Sequence, residues 1–158
     1  MTDLAKDRVE NPPPVRGLEQ AERDREYYYD PTYVLPDDAK LPDGTILYKA
    51  GTSVNPLEHM KLERRMIFID GRVSKQVEWL KDYIDELKAV DQVAEKNHLL
   101  QNRIILTGGK IFDLQKELGE TLYFDQAGEL TGKFGIKCLP AVARQEGNLL
   151  KINEIKTN

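Results

Sequence analysis

The sequence Met-Ile-Phe-Ile-Asp at residues 66–70 is a continuous apolar run that ends at an Asp-Gly turn signal. Such a run is typical of a strand that is buried on both faces. The stretch from Ser74 to about Val90 has apolar residues three or four positions apart, which predicts a helix with Ser74 as its N-cap. A second apolar run, Ile-Ile-Leu at 104–106, predicts the next strand. We therefore expect a right-handed βαβ unit with parallel strands.

The remaining C-terminal sequence continues this alternation of strands and helices. It predicts a two-turn helix over Ile111–Leu118, a third strand over 121–125, a turn with a short helix over 128–135, and a hairpin made of 141–144 and 149–152. The fold class predicted for this part is α/β, with a mixed sheet and flanking helices.

The N-terminal region differs in composition and pattern. Residues 1–62 contain seven of the eight prolines, and their apolar residues follow no long periodic pattern. We interpret it as an extended Pro/Tyr-rich arm with short charged helices over Asp3–Glu10 and Leu18–Glu26, and with a small hairpin near Asp43-Gly44. The sequence thus predicts an arm over 1–62 and an α/β domain over 63–158.

Four tyrosines of the arm, Tyr27, Tyr28, Tyr29 and Tyr33, are the candidate partner-binding residues. Consecutive residues of an extended strand point to opposite sides, so Tyr28 should face away from its two neighbours. Tyrosine is enriched at protein interfaces. The alternative is that these side chains anchor the arm onto its own domain, and we favour that alternative slightly.

Composition excludes several classes of function. The chain is 40% hydrophobic and 32% charged with a formal charge of −4, which is typical of a folded soluble protein and offers no basic stripe for nucleic acid. No apolar run approaches the roughly 20 residues that span a bilayer. One cysteine and two histidines cannot supply the about four nitrogen or sulfur ligands of a zinc site. We expect no metal and no cofactor.

The sequence Phe-Gly-Ile-Lys-Cys-Leu-Pro-Ala-Val at residues 134–142 resembles the thioredoxin-fold segment that ends in a cis-proline before an antiparallel hairpin. The resemblance implies that Pro140 is a structural cis-proline. Thioredoxin-like oxidoreductases carry a Cys-x-x-Cys opposite this segment, whereas the equivalent residues here, 72–75, contain no cysteine. The usual C-terminal helix also has no room after Ile152, so the arm or a partner is expected to cover the sheet in its place.

A second resemblance covers most of the chain. The segments at 10–15, 29–31, 50–57, 67–71, 123–126, 134–136, 140–142 and 145–147 resemble, in order, the TraW family of F-type conjugative type IV secretion systems. This resemblance implies a non-catalytic periplasmic docking component that supports pilus assembly. The implied partner is a TrbC-like thioredoxin-fold protein, with TraU as another possibility. Family members begin with a signal peptide, which the residues after Met1 do not resemble, so we expect a truncated N-terminus.

Two enzymatic hypotheses are alternatives to this docking role. Cys138 could be the nucleophile of a single-cysteine oxidoreductase or peroxidase, which would require a lowered thiol pKa. No second cysteine exists to resolve a sulfenic acid, so we favour a small buried residue. Asp70 and Asp125 both follow strands and could bind a cation or exchange protons, but aspartate at such positions is more often a turn residue.

Overall fold

The computed structural model of the protein describes residues 12–95, 97 and 101–157, so the helix predicted over Asp3–Glu10 lies outside the described residues. The strands are β1 (Glu19–Gln20), β2 (Arg25–Tyr29), β3 (Tyr33–Val34), β4 (Ala39–Lys40), β5 (Ile46–Tyr48), β6 (Ser53–Val54), β7 (Arg65–Asp70), β8 (Asn102–Gly108), β9 (Leu122–Phe124), β10 (Cys138–Leu139), β11 (Ala141–Glu146) and β12 (Leu149–Glu154). The α-helices are α1 (Ser74–Val93), α2 (Ile111–Leu118) and α3 (Glu129–Lys133), and short 3-10 helices cover Pro56–Glu58 and Gln126–Gly128.

A six-stranded mixed sheet in the order β2-β12-β11-β7-β8-β9 organises the fold. Strands β7, β8 and β9 are parallel, and β11 pairs antiparallel with both β7 and β12. The parallel pairing predicted for the first two buried strands is confirmed, as is the C-terminal hairpin. The mixed α/β architecture agrees with the predicted fold class at the level of a mixed sheet with flanking helices.

The helix after the first buried strand begins where it was predicted but is capped differently. Its N-cap is Val73, and no side chain bonds to the free amides of the first turn. The prediction that Ser74 caps the helix is therefore wrong, because Ser74 already lies inside the first turn. The buried Gln76 instead accepts a hydrogen bond from the Asp70 amide at 2.8 Å, which ties the helix start to the end of β7.

The helix predicted over Leu18–Glu26 is wrong, because this stretch contains β1 and the start of β2. Strand β2 pairs antiparallel with β12, with Tyr27 opposite Ile152. This long-range pairing overrides the helical preference of a charged segment. The predicted alternation of the tyrosines is confirmed, since Tyr27 and Tyr29 are half-buried and Tyr28 is exposed. The boundary at residue 62 stays a prediction.

The two faces of the sheet carry separate apolar clusters. On one face, α1 and α2 pack over a cluster that includes Ile67, Ile69 and Leu106. On the other, Phe68, Ile105 and Ile152 are covered by residues around α3 and by N-terminal side chains, which are Leu18, Tyr27, Tyr29, Leu57 and Leu62. The N-terminal region thus supplies part of the covering layer. Either this arm or a partner was expected to cover the sheet.

The antiparallel strands are less apolar than the sequence suggested. Strand β12 alternates half-buried and fully buried residues, and Arg144, Lys151 and Tyr28 form one cross-strand row on its polar face. In this half of the sheet only one face is apolar. Its polar face needs no helix, because charged side chains there are solvated.

One glycine follows β7 and another ends β8, and together they let the two backbones meet. The Gly71 N–H donates a hydrogen bond to the Gly108 carbonyl at 2.9 Å. A Cβ on Gly71 would overlap the Leu114 side chain and lie 2.8 Å from the Gly108 oxygen. Because one of these neighbours is backbone, the contact cannot be relieved by a rotamer change.

We predict that Gly71→Ala destabilises the protein by about 1–3 kcal/mol, the usual cost of overpacking. Gly132→Ala is the matched control, since an added Cβ there meets nothing within 4 Å and the residue lies within α3. Alanine is favoured over glycine in a helix, so the control should be neutral or slightly stabilising. Urea denaturation followed by circular dichroism measures both, and equal stability of the two variants would contradict the predicted contact.

Candidate functional site

The segment around Pro140 is the point where the N- and C-terminal parts of the chain meet. The Leu139–Pro140 peptide bond is cis in the structure, as the resemblance implied. Strand β1 pairs parallel with β10, which precedes this bond. The Glu19 N–H donates to the Lys137 carbonyl at 3.0 Å, and the Ala21 N–H donates to the Leu139 carbonyl at 2.9 Å. The N-terminal region therefore adds a short strand to the cis-proline segment.

A buried carboxylate holds this junction together. Glu154, only 2% exposed, accepts a 2.7 Å hydrogen bond from the Arg25 guanidinium. Its other oxygen accepts hydrogen bonds from the backbone amides of Lys137 at 2.9 Å and of Cys138 at 3.0 Å. One side chain thus joins the last strand of the sheet, the edge strand β2 and the cis-proline segment.

Sequence reasoning missed Glu154 and Arg25. The available signal was the period-two pattern of β12, in which Leu150, Ile152 and Glu154 share one face. An acidic residue at a core-facing position needs a buried partner. The pattern could have indicated such a carboxylate, although it could not have indicated which cation meets it.

Arg25 and Tyr27 complete the polar cluster on the edge strand. The Arg25 guanidinium lies 4.5 Å from the centroid of the Tyr27 ring, and its hydrogen bond with Glu154 raises the pKa of the guanidinium. The Tyr27 hydroxyl donates to the Phe134 carbonyl at 2.8 Å. Burial, followed by the nearby charge of Glu154, raises the pKa of Tyr27 to about 12. Tyr27 therefore stays a neutral hydrogen-bond donor at physiological pH.

Cys138 lies in this cluster but is not activated. Burial raises the pKa of its thiol, and the negative charges of Glu154 and Glu19 raise it further. A nucleophilic cysteine needs the opposite, a pKa lowered by a cation or a helix N-terminus. The surroundings of Cys138 therefore favour the protonated thiol.

The two aspartates at the strand ends have local structural roles. Burial raises the pKa of Asp70, but hydrogen bonds from the side chain and the backbone of Arg72 outweigh it, so the pKa is lowered overall. Asp125 is buried and accepts hydrogen bonds from the amides of Leu130 and Thr131 and from the Thr131 hydroxyl. The carboxylate thereby fixes the start of α3, in agreement with the favoured turn interpretation.

The four candidate tyrosines do not form one cluster. The ring centroids of Tyr29 and Phe134 are 5.5 Å apart. Tyr27 and Tyr29 both pack against the buried cluster of their own sheet. Tyr28 is exposed at the polar face, where its hydroxyl is 3.3 Å from Glu146. Tyr33 is exposed on β3, outside the six-stranded sheet. Binding of a partner by these residues stays a prediction.

Two kinds of site are not found among the residues that the structure describes. No three histidine, cysteine, aspartate or glutamate side chains converge there as metal ligands would. Within the same residues, no helix combines the length and the apolar character needed to cross a bilayer. His98 lies outside the described residues, whereas His59 is the C-cap of the 3-10 helix over Pro56–Glu58.

We predict that Glu154→Ala destabilises the fold by about 3 kcal/mol, because it leaves a cation and two amides without their acceptor. The matched control is Glu117→Ala, which removes an exposed partner of Lys81 and should cost less than about 1 kcal/mol. Chemical denaturation of both variants measures the difference. A Glu154 variant as stable as the control would show that the buried carboxylate is not needed.

We predict that Cys138 reacts with iodoacetamide more slowly in the folded chain than in the same chain unfolded in urea. The raised pKa leaves less thiolate at any pH below it. The pH profile of the alkylation rate, followed by mass spectrometry, should have a higher midpoint in the folded protein. A lower midpoint would indicate an activated thiol and would revive the oxidoreductase hypothesis.

A comparison with known proteins tests the family resemblance. The chain is 31% identical over 130 residues to "Protein TraW" of Escherichia coli (strain K12), and the match covers 82% of this chain and 56% of that protein. The chain thus spans little more than half the length of the curated relative that it matches. No family model and no solved structure matches. With identity at this level along most of its length, the chain belongs to the TraW family.

Proposed function

We propose that this chain is a non-catalytic docking component of an F-type conjugative type IV secretion system, and that it works in the periplasm to support pilus assembly. The observation that carries the proposal is the match to TraW over 82% of the chain.

The scaffold that we propose is a thioredoxin-like fold without thiol chemistry. Supporting it are the parallel pair β7 and β8, the cis-proline at position 140, and the antiparallel hairpin β11–β12 that follows. The start of α1, where a dithiol would lie, reads Arg-Val-Ser-Lys at 72–75. Cys138 has a raised pKa, so it is a poor nucleophile.

The acidic side chains near the strand ends and the cis-proline segment also favour docking over catalysis. Asp70, Asp125 and Glu154 each accept hydrogen bonds from the protein itself. Carboxylates used in this way hold the fold together. Binding through surface complementarity requires no such group.

The partner that we propose is a TrbC-like thioredoxin-fold protein, with TraU as the next candidate. The formal charge of −4 argues against nucleic acid. Of the four candidate tyrosines, Tyr28 and Tyr33 are exposed and therefore open to a partner.

The test is co-expression of the intact chain with the TrbC-like protein of the same transfer system, followed by size-exclusion chromatography with light scattering. We expect one peak whose mass is the sum of both chains. Cys138→Ser is the control variant, which should form the same complex and support transfer normally. Separate peaks would contradict the TrbC assignment, and loss of transfer by a folded Cys138→Ser variant would contradict a non-catalytic role.

A further inference from the structure

Residues 33–54 form a two-stranded β-hairpin that is not part of the six-stranded sheet. Strand β3 pairs with β6 at its base, and β4 pairs with β5 nearer its turn. Between these pairs the Leu35 N–H donates to the Thr52 carbonyl at 3.0 Å, and the Gly51 N–H donates to the Leu35 carbonyl at 2.8 Å. We refer to residues 33–54 as the hairpin.

The hairpin exposes large apolar side chains along its whole length. Val34 is 61% exposed and Leu47 is 55% exposed. The full set of exposed large apolar residues in it is Tyr33, Val34, Leu41, Ile46, Leu47 and Tyr48. A two-stranded hairpin is marginally stable in water without a surface to pack against. Its own domain does not provide that surface for these side chains.

The exposed side chains lie on both faces of the hairpin. Adjacent residues of a strand point to opposite sides, so Val34 faces away from Tyr33. The pairing of β4 with β5 is irregular at Leu47, so strand alternation does not fix the direction of that side chain. Packing one face of the hairpin onto a flat surface would leave the other face in water. The arrangement therefore fits a cleft that encloses the hairpin better than it fits a flat contact.

The apolar area is large enough for a specific interface. With a full accessible area of roughly 150–250 Å² per large side chain, six half-exposed residues present roughly 450–750 Å², summed over both faces of the hairpin. A standard interface takes about 800 Å² from each partner, a little over half of it apolar. The hairpin alone can supply that apolar share.

Charge indicates what should surround such a cleft. Residues 30–60 contain five acidic and two basic residues, a formal charge of −3, whereas the whole chain carries −4. The hairpin itself contains three acidic residues, Asp37, Asp38 and Asp43, and two basic residues, Lys40 and Lys49, so its own formal charge is −1 and the flanking Asp30 and Glu58 supply the rest. A partner with a basic rim would be attracted to this end of the molecule, and a second copy would be repelled.

The base of the hairpin is fixed to the sheet. The buried Asn55 donates a 2.8 Å hydrogen bond to the Asn148 carbonyl in the turn between β11 and β12. Leu57 and Leu62 then pack against the buried cluster of the sheet. An element that is held at its base and exposed beyond it loses little freedom when a partner binds, which favours affinity.

We propose that the hairpin is the docking element of this chain and that it inserts into an apolar cleft, rimmed by basic side chains, on a partner protein. This inference rests on the proposed docking function and deepens it by naming the surface. Its occupant is a different protein, because a second copy carries the same acidic charge at this end of the molecule and would be repelled.

The test is a titration calorimetry experiment with the intact chain and the TrbC-like protein. The variant Val34→Ser with Leu47→Ser removes one apolar side chain from each half of the hairpin. The matched control is Val90→Ser with Val93→Ser, which removes side chains that are 59% and 87% exposed on α1. We expect Kd to rise at least about thirtyfold for the hairpin variant and to stay within about threefold for the control. Equal binding by both variants would overturn the hairpin assignment and leave the docking function intact.

A second measurement keeps the inference testable if the TrbC-like protein does not bind, which would refute the proposed partner. A benzophenone side chain is placed at position 47 of the intact chain in donor cells, with position 93 as the control. A cross-link from position 47, absent from position 93, to another component of the transfer apparatus supports the inference. No cross-link, or one only to a second copy of this chain, would overturn it.

Discussion

The ion pair between Glu154 and Arg25 is the interaction on which the rest of the structure depends. A carboxylate that is 2% exposed is costly unless it is fully hydrogen-bonded, and Glu154 meets this condition with one guanidinium and two backbone amides. Those partners come from the edge strand and from the cis-proline segment. The pair therefore fixes the N-terminal region on the sheet and fixes the loop that precedes Pro140.

The same carboxylate has a chemical consequence. Glu154 accepts a hydrogen bond from the Cys138 amide and, with burial, raises the pKa of the neighbouring thiol. The group that stabilises the junction therefore suppresses the nucleophile that an enzymatic interpretation would need. Burial is the larger cause of the raised pKa of Cys138 and Glu154 adds to it, so the packing of this junction works against thiol activation, which supports the docking role proposed for this member of the TraW family.

The sequence predicted those features that depend on local pattern. The apolar run at 66–70 and the helix over Ile111–Leu118 are set by nearby residues, and the structure confirms both. The cis bond before Pro140 was implied by the resemblance of its segment, and it is also present. The pairing of β2 was missed, because its partner strand lies more than a hundred residues away, and its first two residues, Arg25 and Glu26, were assigned to a helix. Of the site, Pro140 and Cys138 were identified and Glu154 was not, since its partners meet it only after folding.

The pairing of β2 with β12 also determines the order in which the molecule can be completed. Arg25 and Glu154 are 129 positions apart in the chain, so their contact closes almost the whole described sequence into one loop. Contacts of such long range form late, after the loop-closure entropy has been overcome by the rest of the sheet. The N-terminal strand must therefore wait, with its three tyrosines uncovered, until the last strand has been synthesised and has paired. During biogenesis this protein therefore exposes an unpaired strand rich in tyrosine until its C-terminal strand pairs with it.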